Sequence, residues 1–83
     1  MPIFVVERVF SPPITEAQFM AAGEALAPCI QERDIVHINS HFAADGSRSV
    51  CLYEASDAER VREAQRTAGA PFERVWPARK FGG

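Results

Sequence analysis

The chain has 83 residues, 47% of them hydrophobic and 24% charged, and a formal net charge of −2. A domain that small buries only about 60% of its unfolded surface and usually needs disulfides, a metal or a partner subunit. Two cysteines without a CxxC pair exclude a disulfide framework and a zinc knuckle, and scattered Lys and Arg exclude the basic stripe that nucleic acid requires.

Cys29 and Cys51 as free thiols suit a reducing cytoplasm. The opening MPIFVVERVF holds Glu7 and Arg8 inside its apolar run and has no basic leading region, so neither a signal peptide nor a membrane span is expected. Residues 3–10, rich in Val and Phe, predict a first strand that SPP at 11–13 stops. ITEAQF then offers Thr15 as helix cap, Gln18 as its reciprocal partner and Ile14 to staple against Phe19. Phe19, Ala22, Gly23, Leu26 and Ile30 recur at helical spacing, and Pro28 predicts a kink or an early end. A second strand is expected over 35–42, a turn at Asp45-Gly46, and a third strand over 48–55. Ser56 is the expected cap of a second helix, with Glu59 three residues on, and Gly69 followed by Pro71 ends it. The last strand, 72–76, is followed by Pro77, which suits a sheet edge.

The order β-α-β-β-α-β predicts an α+β, ferredoxin-like sandwich filling 1–83 as a single domain, with two helices on one face of a four-stranded antiparallel sheet. Strands one and three would be central. A three-residue loop over 44–46, with Gly46 left-handed, would pair Ala43 with Ser47. His41 would then face Ser49, Asn39 would face Cys51, and His37 would face Tyr53. All six would line the bare face of the sheet, while Val36, Ile38, Phe42, Val50 and Leu52 would pack under the helices. Strand one is apolar on both sides, so the bare face would also carry large apolar groups, and a homodimer packed sheet to sheet would cover them.

The histidines of VHINSH fit two readings: solvated or interface side chains, or metal ligands. Residues four apart on a strand lie about 13 Å apart, too far for both imidazoles to reach one ion without leaning in. A better centre is the Asn39–Cys51 pair, with His37 or His41 from the diagonal and a second copy completing the set. Glu7, charged within an apolar strand, is a further candidate base or ligand. Cys51 and Tyr53 also fit plain sheet packing.

FVVER near the start, VCLYEASD leading into a helix and the closing RTAGAPFERV together resemble a family of short bacterial ferredoxin-like proteins of unknown function, some labelled nickel-binding. The likeness spans about residues 4–75. It implies a compact α+β fold, a dimer, and nickel or another transition metal as a candidate cofactor. The family's second strand resembles W-x-H-S-Y. HINSH matches its serine at Ser40, which puts Asn39 where that histidine stands and His41 where the aromatic stands. His37 and His41 would supply imidazoles of their own, and nickel suits nitrogen and oxygen donors.

Other users of this fold are disfavoured. RSVCLYEA lacks the aromatic-basic segment of RNA-recognition domains, and SPPITEA has neither the paired cysteines of a copper chaperone nor a phosphate-cradling loop. Two functions are expected. One is a small cytoplasmic protein that binds a ligand or metal on the open sheet face of a homodimer. The other is a dimeric α/β-barrel-type enzyme on a hydrophobic small molecule, with Glu7, His37 or His41 as base and Tyr53 as acid.

Overall fold

Alternating burial along the first strand shows how the sheet is dressed. In the computed structural model, which describes residues 1–82, β1 (Ile3–Val9) sends Phe4, Val6 and Arg8 to one side and Ile3, Glu7 and Val9 to the other, the first set buried. The remaining elements are α1 (Glu16–Glu32), β2 (Val36–Phe42), β3 (Arg48–Glu54), α2 (Ala58–Thr67) and β4 (Arg74–Ala78). The strands are antiparallel in the order β2-β3-β1-β4, so the fold is the ferredoxin-like α+β sandwich with β1 and β3 central. Pro77 lies on the edge strand β4, opposite Phe4, as a residue without an N–H requires.

Both helices are fixed by their ends. Thr15 and Gln18 form the expected capping box. Contrary to expectation, α1 runs through Pro28 to Glu32. Glu24 and Pro28 both lie on the exposed side, where water can serve the carbonyl that loses its partner, and Ile30 buried beyond the proline anchors the final turn. Asp34 then takes φ 54°, and the Asp34 and Ile35 amides donate to the Gln31 and Ile30 carbonyls, closing a Schellman turn on a residue other than glycine. The cap of α2 is Asp57 rather than Ser56, its carboxylate accepting from the Arg60 amide at 2.8 Å. Gly69, at φ 69°, closes α2 with a second Schellman turn.

Leu26, Ile30, Val61 and Ala64 from the helices meet Phe4, Val6, Cys51, Tyr53 and Val75 from the sheet in one core. Both helices therefore cover the same face. Gln65 is fully buried there as well.

The hairpin between β2 and β3 departs from the expected geometry. The Ala43 amide donates to the Arg48 carbonyl at 2.9 Å, so the loop spans four residues, 44–47, instead of three. The Asp45 carboxylate is the cause: it accepts from both the amide and the hydroxyl of Ser47 and draws that residue out of the strand. Gly46 does take the left-handed conformation, and a Cβ there would collide with the Ile14 carbonyl oxygen. One extra loop residue reverses the faces of β3. Cys51, Tyr53 and Ser49 lie under the helices; Val50 and Leu52 lie on the open side.

Candidate functional site

The hairpin register redistributes every candidate residue. His41 pairs with Val50 and Asn39 with Leu52, so both stand on the open face among apolar neighbours. A bulge at Ile38 then turns β2 over, and His37 pairs with Tyr53 on the helix side. The two histidines therefore occupy opposite faces of the sheet. Ser49 and Tyr53, expected to line the open face, are both buried on the helix side. Glu7 does face the open side, where it accepts from Trp76 Nε1 at 2.6 Å and pairs with Arg74 Nε at 3.1 Å. These contacts tie the edge strand β4 to β1, which accounts for an acidic residue in an apolar strand.

His37, His41, Cys51, Asn39 and Glu7 thus do not converge within one chain. Among the described residues no three His, Cys, Asp or Glu side chains gather as a metal site would need. The donors of a single protomer do not fit a transition metal.

What the structure does assemble is a cavity of about 690 Å³ between α1 and the sheet. It exists because α1 is poor in bulk. Of its seventeen residues only Leu26 and Ile30 are buried, and Ala22, Gly23 and Ala27 stand where larger side chains would close the gap. Phe10, Phe19 and Ile35 contribute apolar wall. Phe19 stacks on Phe42 at 4.5 Å, and Phe10 meets both rings edge-on, so one end of the wall is rigid.

The polar residues that line this space include Arg8, Tyr53, His37, Ser40 and Gln31. Ser40 Oγ and His37 Nε2 are 2.7 Å apart, and the His37 ring lies 5.1 Å from that of Tyr53. Burial pushes the Tyr53 phenol up to about 12, helped by Cys51 and opposed by Arg8 and Gln65. At neutral pH its hydroxyl is a donor. Arg8 donates to the Pro71 carbonyl at 3.1 Å and to Gln65 Oε1. Neither Arg8 nor Gln65 was singled out as a site residue by sequence. The available signal was spacing: Arg8 follows Phe4 and Val6 on the same strand face, and Gln65 lies four residues after Val61 on the inward side of α2.

The open face presents Val5, Leu52, Val50 and Trp76 around the exposed Val9, Val36 and Ile38. Val5 is buried between Leu52 and Trp76 on the flanking strands without joining the helix-covered core. Among the described residues no helix is long and apolar enough to cross a membrane.

A search of curated proteins finds no match for the chain. The fold is similar to the crystal structure of SCO4226 from Streptomyces coelicolor A3(2), with a TM-score of 0.85 and 18% identity over 96% of this chain and 99% of that one. At that identity the likeness concerns the fold alone. The family model described as "Nickel responsive protein SCO4226-like" matches residues 4–77, and on that match the chain belongs to the SCO4226-like family.

Proposed function

We propose that this is a small-ligand-binding protein acting as a homodimer, with its ligand in the cavity between α1 and the sheet and its open sheet face against a second copy. The cavity carries the reading. Its volume falls in the range of about 300–1,000 Å³ typical of small-molecule sites, and its wall is apolar with a few converging polar groups. The exposed apolar residues opposite supply a reason for the second copy. The free thiols of Cys29 and Cys51 support a reducing, cytoplasmic setting. Binding is preferred to catalysis because no hydrogen bond joins His37 to Tyr53 as an acid–base pair would need.

The test is a thermal-shift panel of apolar small molecules on the native protein and on Gly23→Leu. Gly23 lines the cavity and a Cβ there meets nothing within 4 Å, so the first atom of a larger side chain is accommodated. Ligands should raise the melting temperature of the native protein and not of the variant. Equal rises in both would contradict the reading.

The family description favours a second reading, in which the protein also takes up nickel. Donors split between two faces then require two copies. His41, on the face that the second copy covers, is the principal ligand, with Asn39 beside it on the same strand face. Calorimetric titration with Ni²⁺ should show binding that His41→Ala removes and His37→Ala leaves. Binding insensitive to His41→Ala would overturn this assignment.

A further inference from the structure

Arg8 is 7% exposed, and its two recorded hydrogen bonds go to neutral oxygens, those of Pro71 and Gln65. Among the described residues it has no acidic partner. A buried guanidinium without a countercharge is costly, and proteins normally pair it. Its surroundings are also left incomplete. The fully buried Gln65 has no partner for Nε2, and neither has the Oγ of Ser49, which stands opposite Arg8 in the strand register and is 3% exposed. Two buried polar groups with unused hydrogen-bonding capacity thus flank Arg8, which itself lines the cavity.

We infer that the cavity takes an amphipathic monocarboxylate, its carboxylate on Arg8 and its apolar body along α1. This inference rests on the cavity being the ligand site and adds the chemical class of the ligand. A carboxylate supplies the missing charge, and the planar guanidinium can hold it through two parallel N–H bonds. The Tyr53 hydroxyl, protonated at neutral pH, lines the same cavity and offers a further donor. Leu26, Ile30 and the alanines of α1 line the same cavity and suit a hydrocarbon or aryl tail.

Isothermal titration at pH 7 with octanoate and 1-octanol separates the claims, since the two share a tail and differ in charge. Octanoate should bind at least tenfold more tightly, as a charge-assisted pair implies. Arg8→Met should abolish that preference, and Gly23→Leu should weaken both ligands. Equal binding of the two by the native protein overturns the carboxylate claim and leaves the cavity reading standing. Failure of both below about 1 mM overturns the cavity reading and the inference with it. The native-protein comparison decides the matter even where Arg8→Met does not fold.

Discussion

Tyr53 is the single tyrosine of the chain, so its ionisation can be followed by ultraviolet absorbance with no competing signal. Burial lifts its folded value to about 12 against an ordinary value near 10. The folded state therefore favours the protonated phenol. The stability linked to this group is fully present below pH 10 and is lost as the pH climbs from 10 to 12, on the order of 2–3 kcal/mol in all. Titration of the folded protein should give an apparent value near 12 that falls toward 10 in urea. A value near 10 in both conditions would contradict the burial of Tyr53 beneath the helices. Gly46 makes an equally local prediction. Gly46→Ala forces a Cβ against the Ile14 carbonyl at a positive φ, so it should cost about 2 kcal/mol or more in urea unfolding. Gly46 was legible in advance because only glycine suits the turn. Arg8 was not, because strand one reads as apolar on both faces, so its spacing after Phe4 and Val6 shows which residues it stands beside and not which side the helices cover.

At the scale of elements, capping and patterning revealed more than propensity. The Thr15–Gln18 box and the Gly69 closure were readable because each rests on contacts among near neighbours, and the strand order because right-handed crossovers and short connections favour one topology for this element order. The hairpin was not. Whether Ala43 pairs with Ser47 or with Arg48 depends on a side-chain bond from Asp45, and that single residue of register decides which face receives Cys51 and Tyr53. The bulge at Ile38 then sends the histidines to opposite faces, an outcome that no spacing rule anticipates. Pro28 shows tertiary packing overriding a local rule. Since α1 persists through it on the solvent side, Pro28→Ala should restore one helical hydrogen bond and raise stability by about 1–2 kcal/mol, read from the urea midpoint. Asp34→Gly should add about 1 kcal/mol by relieving the left-handed turn that follows α1.

At the scale of the whole molecule, the proposed function gives the two faces of the sheet different tasks. One is closed by helices around a cavity; the other is open, apolar and available to a second copy. Leu52→Lys places a charge in the middle of that open face. If the proposed dimer forms through that face, the variant should sediment as a monomer where the native protein sediments as a dimer, while circular dichroism shows the fold retained. Persistence of the dimer would move the interface elsewhere. The division between ligand face and pairing face is tested most directly by two-dimensional amide NMR during a titration with octanoate. The largest shifts are expected in α1 and at His37, Ser40 and Tyr53, with Val50, Leu52 and Trp76 nearly still. Shifts centred on those last three residues would mean that the open face is the binding site, contradicting the account.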